Sequence, residues 1–350
     1  MRLLEPLLQP DAIEQAAQRL VDGGLLALPT ETVYGLGARA DDDAAVARIF
    51  AAKGRPADHP LIVHVPNRHA ALHFVSAFPP VAQRLVEAFW PGPLTVIVPR
   101  AADMATAAAG GHDTIGLRCP DHPVALKLLE ACALRDVLGV AAPSANRFGR
   151  ISPTRADHVV DEFQEAGPGL DEVWVLDGGP CEVGIESTII DCSRGHPVLL
   201  RPGRITLAEI EAVTGEPVQW SRPESPDPSA PKASGTLMAH YAPRAKVRLM
   251  SESELNDALD VLETQLPQGL TEPHRWVVAV YSRSLWAHRA PHPGVLHRAM
   301  PGDAITAAHE LFADLRDMDA HAVGDIWVEA PPEDPAWDGV RDRLSRAAAA

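Results

Sequence analysis

The chain has 350 residues, 46% of them hydrophobic and 22% charged, and its formal net charge is −16. This length exceeds what one hydrophobic core usually supports, so we expect two domains. The acidic balance argues against broad binding to nucleic acid or to an anionic membrane, but it leaves room for a local basic site. No apolar stretch reaches the length of a membrane span and the first residues lack a signal-peptide profile, which favours a cytoplasmic protein.

The first half of the chain alternates between helical and strand patterns. Residues 11–22 predict a helix capped by Asp11, and residues 25–28 predict a short buried strand. A second helix is expected to start at residues 41–43 and to stop at Gly54. Further strands are predicted at 61–65, 94–98, 114–118, 138–142, 172–176, 187–191 and 197–200, and further helices at 67–76, 79–89, 121–132, 154–165 and from residue 206. This spacing is typical of an α/β fold with a twisted mixed β-sheet and flanking helices.

Residues 220–236 are rich in proline and serine and predict an extended linker. Beyond it, strand and helix patterns alternate again, which predicts a small Rossmann-like β/α domain with a parallel sheet. The predicted strands are 246–250, 276–281 and 325–329, and the predicted helices are 251–264, 303–318 and 338–347. We therefore place a catalytic domain at 1–215, a linker that acts as a lid at 216–245 and an accessory domain at 246–350.

Basic and hydroxyl residues stand at several junctions between apolar runs, which is unexpected in so acidic a chain. The stretches are Lys53-Gly54-Arg55-Pro56, Thr114-Ile115-Gly116-Leu117-Arg118, Ser144-Ala145-Asn146 and Leu200-Arg201-Pro202-Gly203-Arg204. Guanidinium and ammonium groups match phosphate oxygens, so the pattern favours a pocket for a nucleotide triphosphate. Taken singly, each stretch also fits a helix C-terminus or a solvated turn. Neither a dinucleotide-binding glycine motif nor a P-loop is present.

Together and in this order, these stretches resemble the threonylcarbamoyl-AMP synthase family in its long two-domain form. The matching stretches are Pro29-Thr30-Glu31-Thr32-Val33-Tyr34-Gly35-Leu36, Lys53-Gly54-Arg55-Pro56, Pro60-Leu61-Ile62-Val63-His64, Trp90-Pro91-Gly92-Pro93-Leu94-Thr95, Gly116-Leu117-Arg118, Ala142-Pro143-Ser144-Ala145-Asn146, Ser187-Thr188-Ile189-Ile190-Asp191, Leu200-Arg201-Pro202-Gly203 and His240-Tyr241-Ala242-Pro243. The resemblance covers residues from about 10 to 215 and continues just after the linker.

The resemblance implies a cytoplasmic nucleotidyltransferase. Such an enzyme makes threonylcarbamoyl-AMP from L-threonine, bicarbonate or CO2, and ATP with Mg2+, and releases pyrophosphate. A downstream complex then transfers the threonylcarbamoyl group to adenosine 37 of tRNAs that read codons beginning with A. The protein needs no nucleophile of its own, since it only has to hold three reactants together and neutralise charge on the triphosphate.

The resemblance also assigns roles to individual residues. The expected ATP-binding residues are Lys53, Arg55, His59, Thr114, Ser144, Asn146, Ser152, Arg201 and Tyr241, with Lys53 and Arg55 also expected to be catalytic. The expected threonine-binding residues are Thr32, His64, Arg118, Ala142 and Ser187. Arg118 would face the amino-acid carboxylate in a bidentate pairing. Mg2+ would be carried by the triphosphate and water, with no ligand from the protein.

Two positions depart from the family pattern. His59 stands where the family usually has Asn, and the linker has Ser234-Gly235 in place of a Pro-Gly pair. Three other interpretations stay open. They are an RNA-binding module, a carbamoyl-transfer enzyme that uses carbamoyl phosphate, and a metal site in the loop predicted at 286–297, which contains His288, His292 and His297.

Overall fold

The computed structural model describes residues 1–164, 173–222, 230–265, 276–290 and 292–350. These residues form two compact units. The first comprises Met1–Phe148 and Ser152–Thr236, and the second comprises Gly149–Ile151 and Leu237–Ala350. Within the described part of the chain, no helix is long and apolar enough to cross a membrane. The domain limits placed at residues 215 and 246 stay predictions.

The helices of the first unit begin and end close to their predicted positions. They are α1 (Ala12–Val21), α2 (Asp43–Lys53), α3 (Arg68–Ala71), α4 (Pro80–Phe89), α5 (Pro123–Ala133), α6 (Ala156–Phe163) and α7 (Leu207–Thr214). The Asp42 carboxylate accepts hydrogen bonds from the first backbone N–H groups of α2, which would otherwise lack partners. Gly54 ends α2 at a φ of 63°, a conformation that glycine adopts without strain.

The predicted capping role of Asp11 is wrong. Its side chain makes no capping hydrogen bond to α1, because its backbone is not in the extended conformation that a capping residue needs. The Asp11 carboxylate accepts a hydrogen bond from the Gln15 side chain at 2.5 Å instead.

The first unit is built on a mixed sheet, as the sequence predicted. Its strands are β1 (Arg2–Leu4), β2 (Leu26–Leu28), β3 (Gly35–Arg39), β4 (Ile62–His64), β5 (Leu94–Pro99), β6 (Thr114–Arg118), β7 (Val140–Ala141), β8 (Trp174–Leu176), β9 (Thr188–Asp191), β10 (Val198–Arg201) and β11 (Gln219–Trp220). Their order in the sheet is β1-β8-β2-β3-β7-β4-β6-β5-β9-β10-β11. β4 and β6 pair in parallel, whereas β5 and β6 are antiparallel.

β3 was not predicted as a strand. β3 pairs antiparallel with β2, and Leu28 lies opposite Gly35. Glycine-rich segments resemble loops because glycine is depleted in strands. Packing explains the glycine at position 37, because a Cβ there would come within 2.7 Å of Leu28 and 2.8 Å of Val140. The neighbouring strands occupy the space that a side chain would need.

The second unit has a small parallel sheet with the predicted helices. The strands are β12 (Lys246–Met250), β13 (Val278–Ser282), β14 (Val295–Ala299) and β15 (Asp325–Glu329), and the helices are α8 (Glu252–Gln265), α9 (Ala304–Ala320) and α10 (Asp338–Ala348). The order is β12-β15-β13-β14, and all the described pairs are parallel. The predicted α/β fold class with a small C-terminal β/α domain is confirmed.

The loop predicted at 286–297 is partly wrong, because β14 begins at Val295 and includes His297. A ring nitrogen of His297 accepts a hydrogen bond from the His292 N–H at 3.2 Å, and a ring nitrogen of His292 accepts one from the Gly294 N–H at 3.0 Å. These lone pairs are engaged by the backbone. Among the described residues, no group of three or more His, Cys, Asp or Glu side chains is placed to hold a metal ion.

Candidate functional site

Strand pairing brings three of the predicted threonine-binding residues together. The register of β4 and β6 sets His64 directly beside Arg118, on the same face of the sheet. The Arg118 guanidinium donates a hydrogen bond to the Thr32 hydroxyl at 2.7 Å and another to the Gly92 carbonyl at 3.4 Å. All three predicted side chains are buried. They form a polar cluster in the middle of the first unit.

The acidic partner of Arg118 was not predicted. Glu31 Oε1 lies 2.6 Å from Arg118 Nη2, and the two residues are each only 3% exposed. Neither Glu31 oxygen accepts a hydrogen bond from any described residue, because the guanidinium N–H does not point at the nearby oxygen. The contact is therefore an ion pair without the hydrogen bonds that normally accompany buried charge.

His64 is an uncharged histidine. Burial, with a further contribution from the Arg118 charge, lowers its pKa to about 3. Its Nδ1 atom is buried and has no hydrogen-bond partner among the described residues. A neutral ring with a free nitrogen can hydrogen-bond a ligand, but at neutral pH it carries no charge with which to form an ion pair.

Ser187 and Arg201 are joined by several contacts. Arg201 donates to the Ser187 carbonyl at 2.9 Å and to the Ser187 hydroxyl at 3.1 Å. The Ser187 hydroxyl also lies 2.8 Å from that of Thr95, which the sequence analysis did not select. A residue predicted to bind ATP and one predicted to bind threonine thus share hydrogen bonds beside β9 and β10.

Lys53 connects two of the predicted ATP-binding stretches. Its ammonium group donates to the Ser144 carbonyl at 2.6 Å and also to the Asn146 carbonyl. Burial, together with the neighbouring charge of Arg55, lowers the pKa of Lys53 well below its usual value. The Lys-x-Arg stretch at the end of α2 and the Ser-x-Asn turn therefore lie together, although 91 positions separate Lys53 and Ser144 in the chain.

Arg55 and His59 both contact Phe148. The Arg55 guanidinium is 5.6 Å from the centre of the Phe148 ring, and the His59 ring meets that ring edge-on at the same separation. Arg55 also donates to the Pro60 carbonyl at 3.1 Å. Burial, then the Arg55 charge, lowers the pKa of His59. His59 is therefore a neutral aromatic neighbour of Arg55 at physiological pH.

The other predicted residues of the first unit make separate contacts outside these clusters. The Ser152 hydroxyl donates to the Glu186 carboxylate, another residue that was not predicted. The Ala142 N–H donates to the Ile62 carbonyl at 2.9 Å and so extends the contact between β7 and β4. Thr114 is the first residue of β6 and lines a small cleft.

The described end of the predicted linker closes one side of this cleft. Lys232, Ala233 and Ser234 line it, and Lys232 forms an exposed ion pair with Asp58 at 2.6 Å. The Ser234 carbonyl accepts a hydrogen bond from Arg201 at 2.9 Å. Residues 223–229 of the predicted linker lie outside the described residues. The part that is described contacts a residue predicted to bind ATP.

Tyr241, predicted to cover the nucleotide, belongs to the second unit. Its ring packs 5.4 Å from that of Phe312 and lies 5.5 Å from the Arg343 guanidinium. Its backbone has a φ of 63°, which is uncommon for a residue with a side chain and marks a locally constrained position. The role of Tyr241 toward ATP stays a prediction.

The residues that the sequence analysis missed share one property, since each contacts a predicted residue from a distant part of the chain. Glu31 stands directly before the selected Thr32 and inside a matching stretch, so its place in that motif was an available signal. Thr95 is also inside a matching stretch, yet nothing in its neighbourhood indicates that it meets Ser187, 92 positions away. Phe148 and Glu186 have no comparable signal.

The comparisons with known proteins cover nearly the whole chain. A family model described as "Telomere recombination" matches residues 18–203, and one described as "Threonylcarbamoyl-AMP synthase, C-terminal domain" matches residues 205–349. Curated proteins named threonylcarbamoyl-AMP synthase from Pyrococcus abyssi and Bacillus subtilis are 39% and 36% identical. Each match covers 96% of this chain, with 93% and 92% of the respective relatives. The chain belongs to the threonylcarbamoyl-AMP synthase family.

Solved structures agree with this family assignment. The crystal structure of P. abyssi Sua5 complexed with L-threonine matches with a TM-score of 0.84 and 35% identity, over 99% of this chain and 97% of that one. The resemblance to the long two-domain form of the family is thus confirmed. As a member of this family, the protein is an enzyme, and the prediction of an enzyme is confirmed as well.

Proposed function

We propose that this enzyme makes L-threonylcarbamoyl-AMP from L-threonine, bicarbonate or CO2, and ATP, and releases pyrophosphate. The product would serve tRNA modification in the cytoplasm, where a downstream complex would transfer its threonylcarbamoyl group to adenosine 37. Curated relatives that share nearly the full length of the chain carry the name of this activity, which supports the proposal. The P. abyssi relative that binds L-threonine supports the amino-acid substrate.

The observation that carries the proposal is the burial of four cations in one unit of an acidic chain. Lys53, Arg55, Arg118 and Arg201 are 2–8% exposed, while the whole chain has a net charge of −16. Buried charge is costly unless it is paired or reserved for a ligand of opposite charge. Four such groups suit an ATP triphosphate beside an amino-acid carboxylate.

The reaction divides these groups between two substrates. Arg118 would hold the threonine carboxylate, while Thr32, His64 and Ser187 would contact the rest of the amino acid and Ala142 would form its wall. The amine attacks the one-carbon unit to give a carbamate, and a carbamate oxygen then attacks the α-phosphorus of ATP while pyrophosphate leaves. Holding the reactants at contact distance removes most of the entropic barrier to these two steps.

The remaining buried cations would stabilise the negative charge of the triphosphate. Lys53, Arg55 and Arg201 would neutralise the phosphates, because pyrophosphate gains negative charge as it leaves. The remaining nucleotide contacts would come from His59, Thr114, Ser144, Asn146, Ser152 and Tyr241. An incoming phosphate would also raise the pKa of Lys53, which burial now lowers, and so keep the ammonium group charged.

Mg2+ would enter with ATP. Phosphate oxygens and water are the ligands that Mg2+ prefers when it binds with a nucleotide, so no resident site on the protein is required. When bound, Mg2+ would neutralise part of the triphosphate charge, and the cationic side chains would do the rest. The linker, whose Ser234 carbonyl already contacts Arg201, would exclude water from the unstable carbamate.

The test is to incubate the protein with ATP-Mg2+, bicarbonate and each of several amino acids, and to follow pyrophosphate release and the nucleotide product. We expect release that requires threonine and bicarbonate, with threonylcarbamoyl-AMP identified by mass spectrometry. Arg55→Ala should lower the rate by about 100-fold or more, as for loss of one transition-state donor. Arg68→Ala, which removes an exposed cation, is the matched control.

Two outcomes would overturn the proposal. One is pyrophosphate release that is independent of the amino acid. The other is salt-dependent binding to bare tRNA with no adenylate formed, which would favour the RNA-binding interpretation.

A further inference from the structure

The Glu31–Arg118 pair differs from an ordinary buried salt bridge. Both partners are about 3% exposed and their charged atoms are 2.6 Å apart. Arg118 has other acceptors in Thr32 and Gly92, whereas both Glu31 oxygens lack a hydrogen-bond donor within the described ranges. Buried carboxylate oxygens are normally satisfied by several donors, whereas Glu31 Oε1 contacts only the Arg118 guanidinium and Oε2 has no hydrogen-bond donor among the described residues. This unused acceptor capacity in the middle of a site points to a donor that arrives with the ligand.

The other buried titratable groups near Glu31 are uncharged at neutral pH, so Arg118 is the buried group that balances its charge. Burial raises the pKa of Cys119 to about 12 and also raises that of Cys181, so both thiols are neutral. Burial lowers the pKa of His122, so this ring is also uncharged at neutral pH, and so is His64. Among these described neighbours, the buried charges are therefore one negative, Glu31, and one positive, Arg118, while the nearby carboxylates of Asp121 and Glu182 are exposed to solvent.

An α-amino acid has the same pair of charges. When its carboxylate meets Arg118, its ammonium group can face Glu31, so one internal ion pair is exchanged for two intermolecular ones. Because the ligand and this pair of side chains are both neutral overall, no net charge is buried on binding. A ligand with a carboxylate but no ammonium group would leave Glu31 unpaired and would bring an extra negative charge.

We propose that Glu31 binds the α-ammonium group of the amino-acid substrate and accepts a proton from it. The inference rests on the proposed function, because it takes threonine as the substrate and Arg118 as the carboxylate partner. It makes Glu31 a catalytic residue, since its oxygens touch the reacting nitrogen. His64 is less suited to this step, because burial and the neighbouring Arg118 charge oppose the positive charge that its ring would gain with the proton. Proton uptake by Glu31 instead removes a buried charge.

The proton balance of the step is complete. The ammonium group loses two protons as nitrogen forms its bond to the carbon of the one-carbon unit. One proton passes to a Glu31 oxygen and later returns to solvent. The other converts the hydroxyl of bicarbonate into a leaving water molecule. Ammonium and bicarbonate together give a carbamate, one water and one proton.

The first experiment compares two ligands by calorimetry. L-threonine has both charges, whereas 2,3-dihydroxybutanoate replaces the ammonium group with a hydroxyl and keeps the carboxylate. We expect Glu31→Gln to weaken threonine binding on the order of 100-fold, the usual effect of removing one partner of a buried charge pair, and to change binding of the hydroxy acid little. Arg118→Gln should weaken both. Glu87→Gln, an exposed carboxylate change, is the control.

The second variant is Glu31→Asp, which keeps the negative charge. It tests the proposal even if Glu31→Gln folds poorly. It should retain the preference for threonine over the hydroxy acid. The kinetic readout is the pH profile of kcat at saturating threonine. In Glu31→Gln the rate should be on the order of 100-fold lower at neutral pH, and the deficit should narrow as pH rises and free amine becomes available.

The outcomes separate the two proposals. Equal weakening of both ligands by Glu31→Gln would show that Glu31 only orients Arg118, and unchanged threonine affinity would remove any role in binding. A deficit that is independent of pH would overturn the proton transfer. If the unsubstituted protein did not bind threonine at all, the proposed function would fail first, and the inference with it.

Discussion

Each unit of the protein contains a buried glutamate beside an arginine, and the two pairs are built in opposite ways. Glu329, at the end of β15, is 2% exposed and accepts hydrogen bonds from the Ser282 hydroxyl at 2.5 Å and from the Arg283 guanidinium at 2.6 Å. The backbone N–H groups of Arg283 and Ser284 complete its shell. Glu31 is equally buried, yet neither of its oxygens receives a hydrogen bond from the described residues.

The difference shows how to distinguish buried charge that serves the fold from buried charge that serves a ligand. Although burial alone would raise the pKa of Glu329, its hydrogen bonds and the Arg283 charge outweigh that effect and the pKa is lowered. All of its bonding capacity is used within the second unit. Glu31 has one charged contact, and its unused acceptor capacity is available to a ligand.

The largest expected effect sharpens this comparison through a double substitution. Arg118→Met should reduce the free energy of unfolding by about 3–5 kcal/mol, because it leaves the Glu31 charge buried without a partner. Adding Glu31→Gln should restore most of that stability but no threonine-dependent pyrophosphate release. Denaturant unfolding and the release assay check this. A double variant as unstable as Arg118→Met would mean that the pair also holds the fold together.

Glu329→Ala should destabilise the second unit by about 3 kcal/mol, because it leaves several buried donors without an acceptor. Hydrogen exchange across β13 should report the loss, and threonine affinity of the folded protein should not change. Ser284→Ala, which removes one hydroxyl from the same shell, should cost about 1 kcal/mol. Loss of threonine binding in Glu329→Ala would contradict the view that Glu329 serves the fold and Glu31 serves the ligand.

Asp314, on α9, is a third case. Burial is the main cause that raises its pKa to about 6, although Arg298 forms an ion pair with it at 3.1 Å. Tyr281, Glu310 and Asp317 are the other titratable groups close to it. The folded protein therefore binds this proton more tightly than the unfolded chain does.

It follows that the contribution of Asp314 to stability falls as pH rises from about 4, the unfolded value, through about 6. Relative to Asp314→Asn, the unsubstituted protein should lose about 2 kcal/mol of unfolding free energy across this range. Denaturant titrations at several pH values measure the difference. A difference between the two proteins that stays constant with pH would contradict the raised pKa.

The smallest expected effect concerns a carboxylate that acts only on the local backbone. Asp42 caps α2, and Asp42→Ala should cost about 1 kcal/mol of unfolding free energy. Thr206→Ala, at the capping box of α7, is a matched change and should cost a similar amount. Thermal unfolding checks both. A much larger loss at Asp42 would indicate that α2, which ends at Lys53, depends on its cap more than a helix usually does.

Hydrophobic periodicity and end signals located most helices and strands, because those signals act over a few neighbouring residues. No strand was predicted at β1, β3, β11 or β14. Of these, Gly35–Arg39 and Val295–Ala299 have sequences that do not look like strands. Both are strands because neighbouring strands supply hydrogen-bond partners, and distant residues make that decision. Asp11 failed for a related reason, since the residue type suited a cap while its backbone conformation did not.

The same distinction applies to the candidate site: its motifs are local in the sequence, whereas its contacts join residues that are far apart in the sequence. The basic stretches and the matching motifs could be recognised from the sequence, since each is a short segment of characteristic residues. The contact between Arg118 and Glu31, and the contact of Lys53 with the Ser144–Asn146 turn, depend on how the strands and loops of the first unit are arranged. Residue order alone determined which charges the protein carries; folding decided which of them are buried, which are paired and which are left for a ligand, because burial and pairing depend on tertiary neighbours.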